Sequence, residues 1–390
     1  MKKIKVLAII AALACLTAGC SDEPKDSSSA QKESSSVSES SMEETSQEEP
    51  AATEAVTEPA SEPGYFSTLV FPDTMTEKEK SSSGYRELSV IYPEKAEAYG
   101  LERSAYGMHQ GGSEYVKFKQ IQENVRELKV YDEQFDTDFL VHITLPPDYD
   151  ENREYPVFFI CDSEYWLYCV PDMWKLINEG EAAPVIFVTL GHDYNVNGAM
   201  DDVRFEKFVL RQEEFLGFIT DELMPLISMN YKTDPSRSVL FGHSLGGVFS
   251  HYALCNADRY ADQPFANYII ASPAFWTYHY TDESSPVVCD NSSIKDPYAF
   301  ESEFGFFERN SSLDKKVFIC AGGSEYYRFD APEDLATIPE DAEALYNRMT
   351  AYGADVSFKL YEGKFHTGYV PDMFKEYMTR YFPPEYANEN

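Results

Sequence analysis

The strongest constraint on this chain is a series of short, nearly unbroken apolar runs at 157–161, 185–190, 239–241, 268–271, 317–321 and 356–360. Each is too short to be a helix and is bounded by Pro, Gly or polar residues. That pattern suits strands covered on both faces. Helical patterns lie between them. Over 213–227, Phe215, Phe218, Ile219, Leu223 and Leu226 keep one face apolar. Over 339–352, Ala342, Leu345, Met349 and Tyr352 share a stripe that stops at Gly353, a natural residue just past a helix end. Upstream, 125–130 and 139–145 alternate in apolarity around a turn at 132–138, as an antiparallel pair would. The expected fold class is α/β: a mainly parallel central sheet, antiparallel strands at its N-terminal start, and helices on both faces.

The rest of the chain reads differently. Residues 1–20 have the form of an export signal, with Lys2, Lys3 and Lys5 ahead of an apolar run over 6–16 that is too short to span a bilayer. The run ends in Leu16-Thr17-Ala18-Gly19-Cys20. This resembles a bacterial lipobox with Cys20 as the lipid-modified residue, although Leu16 sits one place early. Its expected location is the extracellular face of the bacterial cell membrane, lipid-anchored at Cys20. An ordinary secretory signal is the alternative. Residues 21–63 are Ser, Glu, Thr, Pro and Ala, too poor in apolar side chains to order themselves, and read as a disordered acidic tether. Residues 64–122 form an extension that is either a strand or cap on the main domain or a module of its own. Residues 123–390 are the expected catalytic domain.

Composition narrows the partners. With 67 acidic against 32 basic side chains, a net charge of −35 argues against nucleic acid and anionic membrane surfaces. The chain has seven cysteines. Cys161, Cys255 and Cys320 fall in apolar runs and read as core residues, and Cys161 with Cys169 is the one disulfide weighed. There is no CxxC, no HExxH and no His/Cys cluster at metal spacing, so neither metal nor organic cofactor is expected.

One motif carries chemistry. The run at 238–241 leads into Gly242-His243-Ser244-Leu245-Gly246-Gly247, and 248–254 reads as helix. A nucleophile on a sharp strand-to-helix turn needs small neighbours, which Gly242 and Gly246 supply. In the α/β-hydrolase layout the base follows the last strand, which selects His366 within 362–368. The acid follows the penultimate strand, which selects Glu325, with Asp330 as rival. His243 is expected to point away, packed or hydrogen-bonded. One oxyanion donor is the N–H of Leu245; the second belongs to the loop after 157–161, at Ser163 or Glu164. Asp162 is read as the anchor of that loop.

Four stretches together resemble a known family: Tyr155 to Asp162, Gly242 to Gly247, Ala271-Ser272-Pro273-Ala274-Phe275-Trp276, and Glu362-Gly363-Lys364-Phe365-His366. They are similar, in consistent order over about 124–382, to the esterase D branch of the α/β-hydrolases, and most of all to its enterochelin (siderophore) esterase-like group. The resemblance implies Ser244 as nucleophile, Glu325 as acid and His366 as base. It also implies Arg204 as a pocket arginine and Trp276 as a residue lining the substrate cleft. The family has Asp-Gly where this chain has Asp162-Ser163.

The resulting expectation is an exported serine carboxylic-ester hydrolase acting on a small-molecule or glycan-linked ester. Feruloyl or acetyl-xylan esterases and acyltransferases are the alternatives on the same fold, and a non-catalytic ligand-binding lipoprotein is the alternative of another class. Tyr165, Trp166, Tyr168 and Trp276 are candidates for stacking an aromatic or sugar group. Arg204, Lys207 and Arg211 read either as a positive patch for an anionic ligand or as surface solubility.

Overall fold

The computed structural model describes residues 121–192, 204–260, 263–275, 277, 301–325 and 337–384. Among them is one eight-stranded sheet: β1 (Val125–Asp132), β2 (Thr137–Thr144), β3 (Val157–Cys161), β4 (Ile186–His192), β5 (Val239–His243), β6 (Asn267–Ala271), β7 (Lys316–Gly322) and β8 (Asp355–Tyr361). The strand order is β1-β2-β4-β3-β5-β6-β7-β8. β1 pairs antiparallel with β2, and β2 with β4. Every other neighbouring pair is parallel.

The helices used below are α1 (Ser163–Trp166), α2 (Val170–Asn178), α3 (Gln212–Gly217), α4 (Met224–Asn230), α5 (Leu245–Cys255), α6 (Glu301–Arg309), α7 (Ile338–Ala351) and α8 (Val370–Tyr381). Because successive strand residues face opposite sides, each strand feeds two cores. Phe159, Leu240, Ile270 and Ile319 face α3, α4, α5 and α7. Phe158, Phe241, Ile269 and Phe318 face α2 and α8. This double burial is why the parallel strands read as continuous apolar runs rather than alternating ones.

The antiparallel start, the parallel runs and the helix over 338–351 agree with expectation, and Gly353 lies just past α7 with φ +79°. Two elements differ. The run at 356–360 was expected to be covered on both faces, but β8 is the sheet's last strand and most of it is half-buried. Val356, Phe358 and Leu360 pack on one core, and only Tyr361 at the strand's end joins the other. The helical stretch at 213–227 is α3 and α4 joined by a π segment, Phe218–Leu223. Cys161 and Cys169 are both buried and are not joined to each other, so the disulfide considered for them does not form.

Candidate active site

The candidate groups follow the ends of β3, β5, β6, β7 and β8, the carboxyl edge at which parallel sheets form crevices. Five non-glycine residues among those described have positive φ. Asp136 and Asp148 lie in turns. Asp162, Ser244 and Ser272 are each the first residue after β3, β5 and β6. Such backbones cost on the order of 1–3 kcal/mol apiece and persist only where surrounding contacts impose them.

Ser244 has φ +60° and ψ −116°, outside the ordinary regions for an L-residue. Its N–H donates to Ala271 O at 3.0 Å, and its carbonyl accepts from Ala274 N–H at 3.1 Å. A β-carbon at Gly242 would lie 1.8 Å from Gly246 O, so the turn closes only around glycine. α5 starts at Leu245, which leaves its first N–H groups without acceptors inside the helix and their partial positive charge at the turn.

Glu325 and His366 are brought together. Glu325 is three residues past Gly322, the end of β7, and its Oε2 is 2.5 Å from His366 Nδ1. A carboxylate only accepts, so Nδ1 carries the hydrogen and a neutral ring keeps Nε2 as its acceptor. The other oxygen, Oε1, accepts from Gly322 N–H at 2.5 Å and from Ser272 O–H at 2.7 Å. The carboxylate is fully buried, and Ser244 and His366 are each 4% exposed.

His243 is packed and hydrogen-bonded, as expected. Its Nε2–H donates to the main-chain carbonyl of His366 at 2.7 Å, and the two rings lie 4.4 Å apart. Strand alternation explains the direction: His243 shares a face of β5 with Phe241, whose ring meets Phe374 of α8, so it faces the loop leading into α8. The turn carrying Ser244 is thereby bound to the loop carrying His366.

The loop after β3 lies beside that turn. Ile160 pairs with Phe241 across the β3–β5 ladder, which puts Ser163 and Ser244 at equal distance beyond a shared rung. Ser163 and Glu164 open α1, and the Ser163 hydroxyl, 1% exposed, has no hydrogen-bond partner among the described residues. Asp162 anchors this loop as expected. Its carboxylate takes Arg204 Nε at 2.8 Å and Nη2 at 2.9 Å. Arg204, 3% exposed, is therefore turned inward beneath the ring of Tyr165, with 4.7 Å from its guanidinium to the ring centroid.

The positive patch does not form. Arg204 is neutralised by Asp162. Lys207 is 2% exposed, its ammonium 4.4 Å from the Phe139 ring centroid, and Arg211 is paired with Glu206 and Glu214. Trp166 is a core residue rather than a stacking platform, edge-on to Phe241 and His243, because the first turn of α1 directs it under the sheet edge. Tyr165 and Tyr168 are half-buried. Trp276, Asp330 and Cys20 lie outside the described residues, and so do residues 1–63 and the extension to 120.

Two residues of the cluster were missed. Ser272 stood in the quoted Ala271-to-Trp276 stretch without a role, and its place directly after a strand was the available signal. Tyr369, whose hydroxyl is 2.7 Å from Ser272 Oγ, had none among 28 tyrosines. Burial pushes the Tyr369 phenol well above its ordinary range, and the Cys320 thiol and Glu325 carboxylate push it the same way. Burial also raises the Cys320 thiol.

Comparison with known proteins agrees with this architecture. A ferri-bacillibactin esterase, BesA of Bacillus subtilis (strain 168), is 39% identical over 62 residues, 16% of this chain and 20% of that protein. The match thus spans about a fifth of that relative's length. The crystal structure of the BES protein from Bacillus cereus superposes with a TM-score of 0.51 at 22% identity, over 66% of this chain and 95% of that one; the two share a fold. Residues 133–379, more than half of the chain, match the model of the family described as "Putative esterase", and the chain belongs to that family.

Proposed function

We propose that this chain is an exported serine esterase that hydrolyses carboxylic esters through an acyl-serine intermediate. The observation that carries the reading is the buried 2.5 Å pair of Glu325 and His366, tethered through His243 to the turn that bears Ser244. Ser244 Oγ attacks the ester carbonyl while His366 Nε2 takes its proton. The N–H of Leu245, with that of Ser163 or Glu164, receives the developing oxyanion, each donor lowering the barrier by about 3 kcal/mol. His366 then protonates the departing alkoxide. Water repeats the sequence on the acyl-enzyme and regenerates Ser244. Glu325 holds the imidazole in the required tautomer and stabilises its cation.

The family membership and the stretch shared with a ferri-bacillibactin esterase support siderophore-type esters as the first substrate class to test. The Lys-rich, apolar start and the lipobox-like Leu16-to-Cys20 support export with a lipid anchor at Cys20.

The test is hydrolysis of short p-nitrophenyl esters and labelling by a fluorophosphonate probe. Wild type should do both, and Ser244→Ala neither, with an unchanged melting temperature. Full activity in Ser244→Ala would overturn the nucleophile. A wild-type protein that neither turns over nor labels would instead fit a binding lipoprotein on this scaffold.

A further inference from the structure

The Glu325 carboxylate is held by more than its histidine. Its Oε1 accepts the Ser272 hydroxyl at 2.7 Å, and because that hydrogen is spent, Ser272 Oγ can only accept from the Tyr369 hydroxyl, 2.7 Å away. Tyr369 and Ser272 are fully buried, and burial pushes the Tyr369 phenol well above its ordinary range. Ser272 is also held at φ +41°, with its N–H on Cys320 O at 2.7 Å. A residue kept in a costly backbone so that its hydroxyl meets a buried carboxylate is a device, not a packing accident.

We propose that Ser272 and Tyr369 are positioning residues: a two-hydroxyl relay, Tyr369 to Ser272 to Glu325, that fixes the orientation of the carboxylate and sets how strongly it holds a proton on His366. The inference rests on the reading of Ser244, His366 and Glu325 as the reacting groups and adds to it. The titratable groups facing Glu325 are His366 from the loop after β8, Tyr369 at the start of α8, and Cys320 on β7. His243 on β5 stands across His366, and Glu362 borders Gly323 on the far side. The relay acts by subtraction. Each donor draws charge from the carboxylate, so losing one leaves more negative charge facing the imidazole and favours its cationic form.

The experiment is the pH profile of kcat/KM for p-nitrophenyl acetate in wild type, Ser272→Gly and Tyr369→Phe, with Ser244→Ala as control. Glycine suits the left-handed backbone at 272, so Ser272→Gly removes the hydroxyl without adding strain. It should lower kcat about tenfold with KM within about twofold. Its acid limb should move to higher pH by about half a unit or more. Tyr369→Phe should shift the limb the same way by less, since it acts one bond further off. Melting temperatures establish that both variants are folded, and if Ser272→Gly is not, Tyr369→Phe decides alone. An acid limb that stays in place in the folded variants overturns the relay, whatever kcat does. An active Ser244→Ala instead breaks the underlying assignment, so the two failures are distinguishable.

Discussion

At the scale of single residues, the carboxyl edge of the sheet is where the chain is most constrained. Three side chains there sit on left-handed backbone, and the glycines beside them are fixed by distance. A β-carbon at Gly322 would come within 2.6 Å of Lys364 O and 2.7 Å of Glu325 Oε1. Gly322→Ala should therefore displace either the carboxylate or the loop carrying His366, and kcat on a p-nitrophenyl ester should fall at least about tenfold. Glu325→Gln is the sharper test. An amide presents a donor as readily as an acceptor to Nδ1, so the tautomer is no longer enforced, and kcat should fall about 10³- to 10⁴-fold with the fold intact. A loss smaller than tenfold would shift the acid's role to Asp330. Much of this scale was legible. The Gly-His-Ser-Leu-Gly-Gly turn, a His after the last strand and an acid after the penultimate one are separately visible in sequence, since each role is tied to a strand end. Ser272 offered only its place after a strand and Tyr369 nothing, because a hydroxyl meeting a carboxylate 53 residues away, or two hydroxyls 97 residues apart, leave no spacing to read.

At the scale of elements, the helices on one side of the sheet are pinned by a buried acid. Glu303 on α6 accepts from Arg348 of α7 at 2.8 and 3.2 Å, and lies 3.0 Å from His251 Nε2 of α5. Burial alone would raise its carboxyl, but the hydrogen bond from His251 and the charge of Arg348 outweigh it and hold the group below the usual range. A carboxyl whose value is lower folded than unfolded contributes stability that is complete above its unfolded value and is lost as pH falls through the folded one. Glu303→Gln should cost roughly 3–5 kcal/mol near neutrality, by leaving Arg348 without its buried counter-charge. The gap between the two urea midpoints should narrow below about pH 4. Equal midpoints at pH 7 would show that the pin contributes nothing. Strand positions were readable because double burial demands unbroken apolar runs. The π segment was not, since widening one helical turn changes no residue type.

At the scale of the whole molecule, the two cores seen among the described residues draw on side chains from Ile121 to Phe382. A chain trimmed to 121–390 should keep its ester hydrolysis and its melting temperature to within about 3 °C, measured against the full chain; a larger drop would assign the extension a structural part. The domain also finishes in a particular order. α8 lays Phe374 against Phe158 of β3 and Phe241 of β5, and Phe382 O caps Ala183 N–H at 2.7 Å. The last of the described helices thus roofs the first parallel strand, immediately after the loop that bears His366. On a ribosome, Ser244 emerges long before either its imidazole or that roof exists. If Ser244 is the nucleophile, a nascent chain gains its base and the α8 part of its second core almost together, and a chain cut before residue 370 leaves Phe158, Phe241 and Phe318 without their α8 cover.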